Sequence, residues 1–241
     1  MISISAVLPA YNEEAVIGST ARAVADALST CTDSYEVIVV NDGSRDRTAA
    51  VIDDLHASRP EIRCVSHPTN RGYGEALRTG LNAGGKEWLF ITDGDGQFDP
   101  TEIERFLPQT DNAELVIGFR APRKDPFIRK LNALGWKAVV HLLFGYTARD
   151  IDCAFKLLRK DIWHHVEVHS GGATFSAELL VKARQCGYEV VELPVTHLPR
   201  RAGQATGARP RVILRAFRDI IRLRLALKPC PEGAPESHGE R

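Results

Sequence analysis

Short runs of β-branched and aliphatic residues alternate with stretches whose apolar positions recur every three or four residues. This pattern holds from residue 2 to residue 118 and predicts a mostly parallel sheet flanked by helices. The strands fall at residues 4–8, 36–40, 62–66, 88–91 and 115–117, and the helices at 14–28, 47–58, 74–83 and 101–106. Asn12 and the Asn41-Asp42 pair stand where helix caps belong, and Pro100 suits a first helical turn. Past Gly118 the alternation breaks down. Helices are predicted there at 130–144 and 175–186, strands at 153–158 and 188–193, and a long amphipathic helix at 211–228. Proline and polar residues dominate 229–241, which reads as a disordered tail, and no internal repeat is visible.

Polar residues concentrate just after the strands. Pro9-Ala10-Tyr11-Asn12-Glu13 follows the first, Asn41-Asp42-Gly43-Ser44 the second, and Asp93-Gly94-Asp95 the fourth. Ligands of an open parallel sheet bind beyond the carboxyl ends of its strands, so these three loops are expected to meet at one crevice. The turn after the first strand holds no G-x-G-x-x-G, which excludes the usual dinucleotide fingerprint. Asp93, Asp95 and Gln97 alternate with glycines that let the chain turn, so their oxygens can converge on one cation. Such ligands suit Mg²⁺ or Mn²⁺, and magnesium keeps one or two carboxylates together with substrate phosphates. A chance acidic turn is the bland alternative. A calcium loop is excluded, because Phe98 stands where that loop needs glycine and a strand, not a helix, precedes it.

With 241 residues, 44% of them hydrophobic, the chain can bury one substantial core, and a single domain over 1–228 is expected. Lys plus Arg equals Asp plus Glu at 31 each, so nothing global points to a nucleic-acid partner. Five scattered cysteines without a Cys-x-x-Cys predict reduced thiols. The N-terminus lacks a charged stretch followed by a long apolar run, and no later segment reaches about 18 uninterrupted apolar residues. A cytoplasmic chain, at most peripheral on a membrane, is the expectation. His164, His165 and His169 lack the spacing of a zinc site.

Four motifs in order are Leu8-Pro9-Ala10-Tyr11-Asn12-Glu13-Glu14, Val39-Val40-Asn41-Asp42-Gly43-Ser44, Asn70-Arg71-Gly72-Tyr73-Gly74 and Thr92-Asp93-Gly94-Asp95-Gly96-Gln97. Together they resemble the inverting family 2 glycosyltransferases. Asp150-Ile151-Asp152-Cys153-Ala154-Phe155-Lys156 and Pro199-Arg200-Arg201-Ala202-Gly203 look like the dolichol-phosphate mannose synthase and polyprenyl-phosphate glycosyltransferase branch, and the resemblance spans residues 4–225. It implies a single A-type nucleotide-binding glycosyltransferase domain, with a nucleotide-sugar half to about residue 120 and an acceptor half over 121–228. It also implies that Pro9, Tyr11, Glu13, Val40, Asp42, Asp93 and Gly94 line the donor site, with Arg120 and Arg200 toward the phosphates. Asp95 would be the principal metal ligand, assisted by Asp93 and Gln97; Arg129 would meet the acceptor phosphate, and Glu178 would lie beneath the acceptor. One departure is Thr206, at a position where the branch often carries lysine.

The chemistry implied is transfer of a hexose from GDP-mannose or a UDP-sugar to a polyprenyl phosphate, whose oxygen is already ionised near neutral pH. Positioning and charge compensation then matter more than proton abstraction. A soluble hydroxyl acceptor would instead need a base, for which Asp152 and Glu178 are the candidates. A non-catalytic nucleotide-sugar sensor is the third reading. Arg211, Arg215, Arg218 and Arg222 form a basic stripe on the last helix, which suits either a solvated face or an in-plane membrane helix. Trp136, His141 and Phe144 are candidates for an apolar membrane-facing surface, and a membrane partner subunit is a further possibility. Asp42, in a ligand-facing loop, is expected to matter more for donor binding than for folding.

Overall fold

A computed structural model describes residues 2–121, 127–172, 174–200 and 210–230, without the side chains of 127–132 and 210–215. Seven strands form one sheet: β1 (Ser3–Ala10), β2 (Ser34–Asn41), β3 (Ile62–Ser66), β4 (Trp88–Ile91), β5 (Leu115–Arg120), β6 (Lys156–Arg159) and β7 (Val190–Val195). Their order is β3-β2-β1-β4-β6-β5-β7, with β6 antiparallel to both neighbours and the other pairs parallel. The helices are α1 (Ile17–Cys31), α2 (Thr48–His56), α3 (Tyr73–Ala83), α4 (Phe127–Phe144), α5 (Lys160–His165), α6 (Phe175–Gln185) and α7 (Pro210–Ala226).

Period-two alternation along the central strands divides the core into two layers. Ile4, Ala6 and Leu8 of β1 and Val37 and Val39 of β2 share a layer with α1 and α2. Val7, Ile38 and Val40 face the other way, toward the layer of α3, α4, α6 and α7. Both faces are covered, as an almost wholly apolar strand such as Trp88–Ile91 requires.

The expected elements form with local differences. The helix expected at 101–106 is a pair of 3-10 segments, Pro100–Arg105 and Leu107–Asp111. Pro108, at the start of the second, has no N–H with which to continue a longer helix. The strand expected at 153–158 begins only at Lys156, because residues 150–155 turn instead, with Cys153 N donating to Asp150 O. The short helix α5 was not expected.

The reduced-thiol expectation fails for one pair. Cys186, just after α6, forms a disulfide with Cys230, just beyond α7, whereas Cys31, Cys64 and Cys153 are free. The two partners are 44 residues apart, and only the packing of α6 against α7 brings them together. Residue 230 is thus tied to the core, against the expectation of a disordered tail from 229; residues 231–241 lie outside the described residues.

Gly43 makes the turn that follows β2, packed against the backbone of the loop at residues 69–72. Its φ is +66°, and a Cβ there would lie 2.3 Å from the Thr69 carbonyl carbon. Gly43→Ala should therefore cost more than about 1 kcal/mol, read from urea unfolding.

Candidate active site

The parallel register sets Ala10 opposite Asn41 and Ile91 opposite Val7, so β1, β2 and β4 deliver their loops to one edge of the sheet. Hydrogen bonds then stitch those loops together. Asp42 N donates to Ala10 O (2.9 Å), and Asn12, at φ +55°, donates its N–H to Ser44 Oγ and accepts from Arg45 N through its side chain. Asn12 therefore joins two loops rather than capping a helix. Asn41 likewise accepts from Ser44 N within its own turn. Pro9 is half-buried, and Tyr11 is exposed on the rim.

Asp42 is buried. Its Oδ1 accepts from Arg71 N (2.8 Å) and His67 Nδ1 (2.7 Å), and its Oδ2 accepts from Gly72 N (2.8 Å). His67 is fixed in turn by Thr79 Oγ1 at 2.9 Å. The carboxylate thus anchors the loop that starts α3, so its structural role is larger than the sequence suggested. Val40 is a correction of a different kind. It is fully buried beneath α3, where a Cβ on Gly80 would lie 3.0 Å from its Cγ2, so its side chain is core and does not line the donor site.

The acidic centre lies beyond β4. Asp95 Oδ1 accepts from Gln97 N (3.0 Å), and its Oδ2 accepts from Arg200 Nη2 at 2.5 Å. Arg200 Nη1 also donates to Glu13 Oε1 (3.2 Å), which joins the loop after β1 to the loop after β4. Glu13 Oε2 is buried without a hydrogen-bond partner. Burial raises the Glu13 carboxyl above its usual range, with Arg200 opposing that shift and Asp95 adding to it. Asp93 accepts from the Tyr73 hydroxyl (3.2 Å), and burial together with the charge of Asp95 pushes its carboxyl up to about 7. Gln97 donates its amide to Leu198 O and accepts Leu198 N on its own carbonyl, which fastens the segment leading to Arg200. Gly94 lets this loop lie against β1, since a Cβ there would sit 2.9 Å from Pro9 O.

Among the described residues, no group of three or more His, Cys, Asp or Glu side chains is arranged to hold a metal ion. The carboxylates present nevertheless fit a hard cation that takes its remaining ligands from a substrate. Glu13 and Asp95 share one guanidinium, Glu13 Oε2 is buried without a partner, and Asp93 lies near enough to feel the charge of Asp95.

The other expected residues separate into two groups. Arg120 is held by Asp150 through two parallel bonds, Nε to Oδ2 (2.6 Å) and Nη2 to Oδ1 (2.8 Å). The turn that follows presents Asp152 to solvent, and the buried amine of Lys156 donates to the main-chain carbonyls of Ile151 and Cys153 on either side of it. A cleft of about 130 Å³ runs between this turn and α4, lined by Leu134, Trp136, Arg149 and Asp152. Glu178 is separate from this arrangement. Both its oxygens accept main-chain N–H groups, from His169 (3.1 Å) and Ser170 (2.7 Å), and Lys182 pairs with it at 2.7 Å. Burial alone would raise its pKa, but these partners more than offset that and hold the carboxyl below its usual range, as suits a loop anchor rather than a base. Arg129 lies on α4 with its side chain outside the described residues, and Thr206 is itself outside the described residues.

Tyr73, His67 and Asp150 are participants that the motif reading did not single out. Tyr73 and Asp150 lay within the motifs, but nothing local revealed that one meets Asp93 and the other Arg120.

The profile of glycosyl transferase family 2 matches residues 5–167. The chain belongs to glycosyl transferase family 2. Among curated relatives of this family 2 member, a dolichyl-phosphate beta-glucosyltransferase of Trichomonas vaginalis is 30% identical over 80% of the chain and 65% of the relative. A polyprenol monophosphomannose synthase of Mycolicibacterium smegmatis is 30% identical over 82% of the chain and 78% of the relative. The chain thus spans a little under two thirds of the length of the Trichomonas enzyme. Crystal structures of glucosyl-3-phosphoglycerate synthase from Mycobacterium tuberculosis share the fold. The complex with phosphoglyceric acid aligns at TM-score 0.71 and 22% identity over 98% of this chain and 82% of that one. A complex of the same enzyme with Mn²⁺ and uridine-diphosphate-glucose aligns at 0.69, with 22% identity over 98% of this chain and 81% of that one.

Because Asp42 holds two main-chain N–H groups and an imidazole, Asp42→Ala should destabilise the fold by at least about 2 kcal/mol in urea unfolding, in addition to any loss of donor affinity.

Proposed function

We propose that this chain is an inverting hexosyltransferase that moves a sugar from a nucleotide sugar, GDP-mannose or a UDP-sugar, to a polyprenyl phosphate. The observation that carries the reading is the convergence of Glu13, Asp93 and Asp95 at the ends of β1 and β4, with Arg200 between Glu13 and Asp95. The names of the relatives, a dolichyl-phosphate glucosyltransferase and a polyprenol monophosphomannose synthase, support the acceptor class.

Tyr11 and Pro9 border the base and ribose, and Glu13 and Asp42 complete that side of the donor site. Asp95, with Asp93 and Gln97, would hold Mg²⁺ or Mn²⁺. Such an ion neutralises the charge that grows on a departing nucleoside diphosphate. The structural neighbour crystallised with Mn²⁺ and uridine-diphosphate-glucose supports that cofactor class. An acceptor phosphate oxygen attacks the anomeric carbon from the face opposite the leaving group. The bond from that carbon to the diphosphate oxygen breaks as the new one forms. Arg129 serves the acceptor phosphate, because a guanidinium grips phosphate through paired hydrogen bonds, whereas Arg120, whose Nε and Nη2 are taken by Asp150, contributes positive charge toward the phosphates.

A peripheral membrane position follows from such an acceptor. Among the described residues no helix is long and apolar enough to cross a membrane. One face of α4, however, exposes Leu134, Gly135, Ala138 and Leu142, uncharged residues that recur about every helical turn. Trp136, by contrast, is buried, and His141 and Phe144 are half-buried. On α7, which packs beside α4, Arg218 and Arg222 are exposed together with Ile221 and Leu225. An apolar ridge beside arginines suits an anionic bilayer surface. One observation favours a second reading, a soluble hydroxyl acceptor: Asp152 is exposed at the α4 cleft, where it could serve as the base.

The deciding assay supplies purified protein with Mn²⁺ and a panel of nucleotide sugars, with and without a short polyprenyl phosphate, and follows nucleoside diphosphate release. Release that depends on the lipid phosphate, vanishes with EDTA and is lost in Asp95→Ala is the expected result. Full activity of that variant, or of the wild type in excess EDTA, would remove the metal from the scheme. Transfer only to water-soluble alcohols would select the second reading. Separately, Leu134→Ser with Leu142→Ser should reduce sedimentation with anionic liposomes at low salt while leaving donor affinity within about twofold, because the substituted side chains are solvent-exposed.

A further inference from the structure

The arginine that sits on Asp95 occupies the oxygen that a cation would need. Asp95 Oδ1 already accepts from Gln97 N, and Oδ2 is taken by Arg200 Nη2 at 2.5 Å. The same guanidinium donates to Glu13 Oε1, so one positive group bridges two carboxylates from different loops. All three side chains are largely shielded, with exposures of 26% for Arg200, 12% for Glu13 and 8% for Asp95, so their attraction is screened less than that of a surface pair. The segment that carries Arg200 is not loosely placed. Leu198 is bonded twice to Gln97, and His197 pairs with Phe98, so the guanidinium is delivered from the neighbouring strand end by a built support.

From this geometry we infer that Arg200 is an internal stand-in for the divalent cation, which keeps Asp95 and Glu13 compensated until metal and donor arrive together. The inference rests on the metal-dependent donor site proposed above and adds an order to its filling. A metal ion arriving alone must displace a charge-assisted hydrogen bond from Asp95 Oδ2 and leave Arg200 Nη2 without its acceptor, with only the longer bond to Glu13 remaining. An ion arriving with a nucleoside diphosphate brings a new acceptor with it, since phosphate oxygens match the two-pronged donor geometry of arginine. Arg200 therefore passes from carboxylate to phosphate as the metal takes the carboxylate. The consequence is strong positive coupling: metal binds weakly without nucleotide and tightly with it, and by linkage the nucleotide gains the same factor from the metal.

The experiment measures Mn²⁺ affinity from the electron paramagnetic resonance signal of the free ion, with and without saturating UDP or GDP. It compares the full-length wild-type chain with Arg200→Gln and with Arg71→Gln, which removes an exposed positive charge from another loop. Thermal melts of all three check that each variant is folded. In Arg200→Gln, Mn²⁺ alone should bind about tenfold tighter than in wild type, because the ion no longer displaces a charge-assisted hydrogen bond. The gain in Mn²⁺ affinity on adding nucleotide should shrink by a similar factor. Mn²⁺ should also raise the melting temperature of Arg200→Gln more than that of the wild type. Arg71→Gln should leave Mn²⁺ affinity within about twofold, since an exposed charge acts through screened water. An unchanged or weaker Mn²⁺ affinity in folded Arg200→Gln, with nucleotide-dependent metal binding intact, overturns the stand-in and leaves the proposed function standing. An equal rise in Arg71→Gln also overturns it, because general field rather than occupancy would then explain the effect. Failure of the wild type to bind Mn²⁺ even with either nucleotide overturns the metal-dependent reading and this inference with it.

Discussion

Negative charge brought together in a cleft that water only partly reaches has to be answered by a cation, and much of this site is arranged around that requirement. Glu13, Asp93 and Asp95 arrive from two strand ends because the parallel register aligns β1 with β4, and burial, reinforced by the charge of Asp95, disfavours the ionised carboxyls of Glu13 and Asp93. Nearby positive groups answer in layers. Arg200 contacts the carboxylates directly, whereas Arg120 and the buried Lys156 act on Asp93 from farther away while holding Asp150 and the 151–153 turn. Positive charge thus balances the carboxylates while most of it stays committed to other partners.

The same economy of contacts explains why the first half of the chain could be read so fully. Strands buried on both faces must be largely apolar, and loops at their carboxyl ends must be polar, so β1, β2, β4 and the three converging loops stand out in the residue order itself. The antiparallel insertion of β6 between β4 and β5 has no such mark. It depends on the turn at 150–155, which is shaped by the amine of Lys156 reaching back to main-chain carbonyls, a contact that no periodicity encodes.

Site residues were legible by identity more than by partnership. Asp42 and Glu178 stand in motifs that imply ligand contact, yet both oxygens of each carboxylate accept main-chain N–H groups. A buried carboxylate that fixes a loop and one that meets a substrate have the same letter in the sequence, and only the direction of nearby N–H groups separates them. Val40 illustrates the converse, since its position next to a functional loop says nothing about which face of the strand its side chain occupies.

The disulfide between Cys186 and Cys230 changes what kind of object the last part of the molecule is. It closes a covalent ring that contains β7, the Arg200 segment and all of α7, and it fastens that ring to the end of α6. A single peptide cut anywhere between the two cysteines would leave the fragments joined. Detachment of α7 from the body could not carry its far end away while the bridge is intact. Whatever excursion Arg200 makes is therefore that of a bead on a closed loop anchored at both ends, with its reach bounded by the chain.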